Sequence, residues 1–183
     1  SGTDGASMVL LATAQASNSA VIDFTTITST YDNYRAVCKA IVPTTNSAYL
    51  QMLMSVDGGS TYKSGATDYQ YANTVLAAAA PDGITSTGDT RILLVGASGI
   101  SSNASVGGFS GSVDFYNLNS TTASKLTTVT ASYQNSGPFV ESVNGGGVTN
   151  SVALQGAVNG IRFMMNVGTI ASGVLYFFGL RKS

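Results

Sequence analysis

From Phe109 to Leu118 the chain alternates without a slip. Phe109, Gly111, Val113, Phe115 and Asn117 share one side, while Ser110, Ser112, Asp114 and Tyr116 share the other. A period of two is what a strand with one buried face requires, because successive side chains leave opposite sides of a sheet. Related extended, apolar-rich stretches recur at residues 20–27, 34–42, 48–56, 68–79, 91–95, 126–133, 161–167 and 174–180. Between them stand turn formers such as Asp57-Gly58-Gly59-Ser60, Pro81-Asp82-Gly83 and Gln134-Asn135-Ser136-Gly137-Pro138. Nine or ten short strands at this spacing predict an all-β fold, an antiparallel β-sandwich or barrel. Residues 75–80 offer the one helical stretch, four consecutive Ala stopped by Pro81. Gly145-Gly146-Gly147 reads as a break, residues 96–108 as a long loop with little to pack, and residues 161–180 as a closing strand pair. No composition shift marks a boundary, so the expectation is one domain at 13–183 with residues 1–12 as an N-terminal arm.

Composition narrows the function. Only 9% of the 183 residues are charged, against about 25% in ordinary domains. Yet 44% are hydrophobic, which is ample for a core. The net charge is −1 and the basic residues are scattered, so there is no nucleic-acid footprint. No apolar run approaches the roughly 20 residues of a membrane span, and the opening Ser1–Gly5 has no charged n-region of a signal peptide. The chain has no His and one Cys, so zinc ligation, a disulfide and imidazole-assisted nucleophiles all lack their parts. No cofactor or metal is expected. Asp4, Asp57 and Asp82 each precede Gly, Asp32 precedes Asn33, and Asp89 follows Gly88, which suits turn capping. Cys38, inside an apolar strand pattern, reads as a small buried hydrophobe. The expectation is a protein that is not an enzyme. Asp23, Asp68, Asp114 and Glu141 remain, and a sugar-cleaving pair among them, to be tested at Asp68 and Asp114, is the catalytic alternative.

Two groups stand out as contact residues. Tyr62, Asp68, Tyr69, Gln70, Tyr71 and Asn73 combine aromatic faces with neutral polar groups, a chemistry suited to stacking and hydrogen-bonding a glycan. The alternative for the tyrosines is ordinary strand duty. The last strand is apolar on both sides, so Val174, Tyr176 and Phe178 predict a central strand or a subunit contact. Met8, Val9, Leu10 and Leu11 would make the arm an assembly anchor.

Several stretches, in order, resemble small bacteriophage virion proteins. They are Ala14–Thr25 with Ser29-Thr30-Tyr31-Asp32-Asn33-Tyr34, then Ser55-Val56-Asp57-Gly58-Gly59-Ser60-Thr61-Tyr62 as a first hairpin. The closing set is Asn159-Gly160-Ile161-Arg162-Phe163-Met164-Met165, Gly168-Thr169-Ile170-Ala171-Ser172-Gly173 and Tyr176-Phe177-Phe178-Gly179-Leu180. The likeness covers most of residues 10–181, with residues 140–152 unmatched. It implies a jelly-roll-like sandwich on the virion exterior, in a tail fibre or as a head decoration, commonly as a homotrimer. Its partners would be copies of itself, other tail or capsid proteins and a host surface glycan, with no nucleic acid and no membrane insertion. Two functions follow: a tail-fibre or receptor-binding domain, or a cement protein stabilising the capsid.

Overall fold

The order in which the alternating stretches pair sets the architecture. The computed structural model describes residues 8–151 and 154–181. These form β1 (Met8–Ser19), β2 (Val21–Phe24), β3 (Tyr31–Pro43), β4 (Leu50–Ser55), β5 (Tyr69–Ala77), β6 (Asp82–Asp89), β7 (Ile92–Leu93), β8 (Phe109–Tyr116), β9 (Leu126–Gln134), β10 (Val140–Thr149), β11 (Gly160–Met165) and β12 (Ile170–Arg181). β1 pairs with β12, β2 with β11, β3 with β8 and β4 with β7, all antiparallel. The chain is therefore doubled back on itself as four nested pairs, and alternate pairs go to alternate layers. One layer begins β1-β12-β3-β8 and the other is β2-β11-β4-β7. This is the winding of a jelly-roll sandwich.

Two further hairpins enlarge one layer. β5–β6 is inserted between β4 and β7, and β9–β10 follows β8. Together they extend the first sheet to the order β1-β12-β3-β8-β9-β10-β5-β6. The core lies where the inner faces meet. Phe24 of the small sheet stacks on Phe177 of the large one at 4.9 Å between ring centroids. Phe177 also stacks on Tyr34 at 5.5 Å, and Phe163 meets Phe24 edge-on at 6.2 Å. All four rings are buried. Burying each contributes roughly 1.5–3 kcal/mol, and the ring geometry adds about 0.5–1.5 kcal/mol per pair.

Several sequence expectations are corrected. Residues 75–80 are not helical: β5 continues to Ala77, with Val75 buried opposite Val143 and Leu76 exposed. Ladder partners on both sides override the Ala helix preference. Gly145-Gly146-Gly147 is no break either, since β10 runs straight through it between β9 and β5. A Cβ on Gly146 would lie 2.0 Å from the Thr127 carbonyl oxygen, and one on Gly145 2.4 Å from that of Ala72. These glycines mark close backbone approach. Residues 161–167 and 174–180 do not pair: β11 lies between β2 and β4, and β12 between β1 and β3, so the link is a corner between layers. The Asp57–Ser60 segment does turn, with Gly58 and Gly59 at φ +73° and +86°. It closes no hairpin, because β4 and β5 belong to different sheets. Residues 96–108 hold fully buried Ile100, bridged to Ala48. Residues 1–7 of the expected arm lie outside the described residues. Met8, Val9 and Leu10 belong to the sheet, opposite Leu180, Gly179 and Phe178, and Leu11 sits at a register shift in the same strand.

Candidate binding face

The expected glycan platform does not assemble. Tyr69, Tyr71 and Asn73 point into the sandwich from β5, and Asp68, just before it, is buried as well. Their polar atoms serve the fold. The Met54 N–H donates to the Tyr69 hydroxyl (2.8 Å), which donates to the Lys63 carbonyl (3.0 Å). Asn73 Nδ2 donates to the Leu93 carbonyl (3.0 Å), and Asp68 accepts from the Gly65 N–H (2.7 Å). Tyr71 donates to Asp89 (3.1 Å), and burial together with that carboxylate pushes its phenol up to about 12. Tyr62 is half-buried, its ring covered by the Arg162 guanidinium at 4.0 Å. Arg162 in turn forks onto Asp23 at 2.8 and 2.7 Å. Gln70 alone of the six points outward from β5. Asp68 and Asp114 are not brought together, because β9 and β10 lie between their strands. Asp114 instead holds Arg35, with contacts of 2.5 and 3.0 Å, and that bond raises the guanidinium pKa further. Cys38 is buried, which pushes its thiol up to about 12.

The face of the large sheet turned away from the small one carries a different arrangement. Register places its side chains in rungs that cross all eight strands. One rung runs Leu10, Phe178, Arg35, Asp114, Thr128, Gly146, Ala72, Thr85. The next runs Thr13, Tyr176, Val37, Ser112, Thr130, Asn144, Thr74, Gly83. Chemistry changes along the rungs: mostly apolar over β1 and β12, with Leu10, Phe178 and Tyr176 beside Thr13, then small, hydroxylated or amide-bearing over β9, β10 and β5. Val174, Tyr176 and Phe178 occupy the apolar end and are half-buried, whereas Leu175 and Phe177 face the core.

Over the hydroxylated end lies a depression of about 880 Å³, lined by Thr74, Leu76, Ser110, Thr130, Ser132, Ser142 and Asn144. A neighbouring one of about 520 Å³ is lined by Gln70, Thr85, Thr87, Leu126, Thr128 and Gly146, among others. Neither lining includes a charged side chain. Of eight large apolar side chains that remain exposed among the described residues, six lie on this one face: Met8, Leu10, Leu76, Tyr116, Leu126 and Val140. Sequence reasoning missed these residues as a group. The alternate Ser and Thr of residues 109–118 and 126–133 were its trace, but only register across β8, β9, β10 and β5 joins them.

The face offers hydrogen bonds from neutral hydroxyls and amides, apolar contact at its margins, one internally paired ion pair, Arg35–Asp114, and the exposed Lys39 opposite Val174. Such a surface suits docking; no metal-binding group of His, Cys, Asp and Glu forms among the described residues. Comparison with protein-family models, with curated proteins and with solved structures finds no match.

Proposed function

We propose that the chain is a structural domain of a bacteriophage virion, of the tail-fibre or receptor-binding type, that acts by docking rather than by chemistry on a substrate. The observation that carries this reading is that six of the eight exposed large apolar side chains among the described residues lie on the outer face of the large sheet, in three neighbouring pairs: Met8 with Leu10, Tyr116 with Leu126, and Leu76 with Val140. Exposed apolar side chains scattered singly need no explanation, whereas pairs of them confined to one face favour a contact surface there. The ordered likeness of residues 10–181 to virion proteins supplies the setting, on the particle exterior. The depression along Thr74, Thr130, Ser132, Ser142 and Asn144 replaces the buried tyrosines as the place for a neutral host-surface glycan, since neutral hydroxyls and an amide match sugar hydroxyls without charge.

The capsid-decoration reading draws on the same apolar face, turned against the head. Antibody labelling of intact particles in the electron microscope separates the two. Label at the tail tip supports the first reading, label over the head supports the second, and particles lacking the chain overturn both. Glycan-array binding lost on Asn144→Ala or Thr130→Ala is the expected result for the groove. Binding that survives both changes removes the glycan from this face.

A further inference from the structure

Three depressions on the large sheet run into one another. The one over Thr74, Thr130 and Asn144 shares Ser110 and Ser132 with a second of about 460 Å³. The second shares Val106 and Gln134 with a third of about 450 Å³. That third one opens among the loops that follow β3, β7 and β9, where Asn46, Ser102, Asn103 and Ser136 line it. Thr130, Ser132 and Gln134 are successive outward residues of β9, so the shared floor extends about 14 Å along that strand alone, at about 3.4 Å per residue.

The loop end is tied down. The Ser101 N–H donates to the Gln134 carbonyl (2.9 Å) and the Ser102 N–H to Asn46 Oδ1 (3.1 Å), which joins the three loops. Asn135 Oδ1 accepts from the N–H groups of Gly137 (2.9 Å) and Phe139 (3.1 Å), and its amide nitrogen is anchored on buried Glu141. Three groups here carry no hydrogen bond among the described residues: Asn46 Nδ2, Asn103 Nδ2 and Gln134 Oε1. Their partner atoms in the same amides are the ones that hold the loops. Phe139 is exposed and lies over Gly137 in the same turn, its ring 3.4 Å from where a Cβ there would sit.

We propose that the three depressions form one trough that takes a linear, uncharged oligosaccharide lengthwise, with the loop pocket as a subsite beyond the outer face; this rests on the glycan reading given above. Three observations select this occupant. No lining residue of the three depressions is charged, so the trough gives an ionic polymer nothing to pair with. The unspent amide groups include both donors and an acceptor, as a sugar hydroxyl requires, and Phe139 supplies a ring face for the apolar side of a sugar. The floor belongs to β8, β9, β10 and β5, each already paired on both sides, so a peptide finds no free main chain on which to add a strand. The tied loops hold these groups in place before a ligand arrives, which lowers the ordering cost of binding.

Titration of the full chain on an array of neutral oligosaccharides, graded from single sugars to long chains and displayed beside sialylated and sulfated chains, tests the proposal. Long neutral chains are expected to bind more tightly than single sugars of the same kind. Asn46→Asp combined with Asn103→Asp keeps the oxygens that accept from Ser102 and Ser105 and removes both amide donors. It should weaken long chains about tenfold, while single-sugar binding on the outer face stays unchanged. Ser136→Arg, at an exposed lining position, should block long chains in the same way. It decides the matter should the double variant lose its far-UV circular dichroism. Affinity independent of chain length, or long-chain binding indifferent to both loop changes, overturns the trough and leaves the outer-face glycan reading standing. Preference for the sialylated or sulfated chains overturns both, as does the absence of binding to any sugar.

Discussion

The two halves of the large sheet are built on different terms. β1, β12, β3 and β8 belong to the jelly-roll winding and cover the small sheet with Tyr34, Phe115 and Phe177, a ring cluster completed by Phe24 and Phe163. β9, β10, β5 and β6 come from the two added hairpins, and their interior is markedly polar. Among the described residues, seven of the ten buried polar or charged side chains lie in or directly beside β5, β9 and β10: Asp68, Asn73, Lys125, Thr127, Asn135, Glu141 and Thr149. Each is held by named bonds. Tyr133 donates to Glu141 through a very short hydrogen bond, Asn135 Nδ2 donates to the same carboxylate at 2.6 Å, and the Gly96 N–H donates to Tyr133 at 2.9 Å. The Lys125 ammonium is buried under the carbonyls of Ser120 (2.6 Å), Ala123 (3.0 Å) and Gln155 (3.2 Å), and burial lowers its pKa. The contrast teaches that the winding is secured by apolar area. The added half depends instead on pairing most of the polar groups it buries, with Asn73 Oδ1 left without a partner, because an unpaired one costs about 1–3 kcal/mol.

Removing the central ring of the jelly-roll half should do the most harm. Phe177→Ala is expected to cost about 3–5 kcal/mol in urea denaturation. A loss below that of any polar variant would reverse the ranking of the two halves. In the added half, Glu141→Ala strands the Tyr133 hydroxyl and the Asn135 amide and should cost about 2–3 kcal/mol. Glu141→Gln keeps an acceptor and should recover much of that loss. Equal losses for the two variants would mean that hydrogen bonding is not what holds this interior.

Tyr69→Phe sharpens the contrast where the added half meets the small sheet. It leaves the Met54 N–H without its acceptor and should cost about 1–2 kcal/mol, with no effect on any ligand taken up by the outer face. A selective loss of glycan binding would instead return Tyr69 to the contact surface. The smallest effect is expected at the Asp57 turn, outside both halves. The Thr61 hydroxyl, then the Thr61 N–H and the Ser55 hydroxyl, hold its carboxyl down at about 2, below its ordinary 3.8. A depressed carboxyl contributes stability above its unfolded value, and that contribution is lost as pH falls from about 4 to about 2. Melting temperatures across this window should therefore fall less steeply for Asp57→Asn than for the wild type.

The pattern of residues 109–118 was legible because one buried face imposes a period of two, and Phe109, Val113 and Phe115 are indeed buried there. Residues 140–149 were not legible, since Gly145-Gly146-Gly147 carries no side-chain period and reads locally as a break. The helix expected at 75–80 failed for a related reason: Ala preference is local, whereas β5 is decided by β10 and β6 on its two flanks. The tyrosine cluster misled most. Alternation does put Tyr69, Tyr71 and Asn73 on one side, but nothing local says whether that side is core or solvent. The candidate site was almost invisible, because it is written across four strands and exists only in their register.

Much of the strand content, the turn at Asp57–Ser60, the low charge and the lack of imidazole were settled by the sequence alone, because strands and turns answer to neighbours a few residues apart and the rest is composition. Which strands pair, which layer each joins, which tyrosines are buried and where Ser, Thr and Asn gather into one surface were decided by the folded chain. Those outcomes depend on partners as distant as Met8 and Leu180, whose meeting no local pattern encodes.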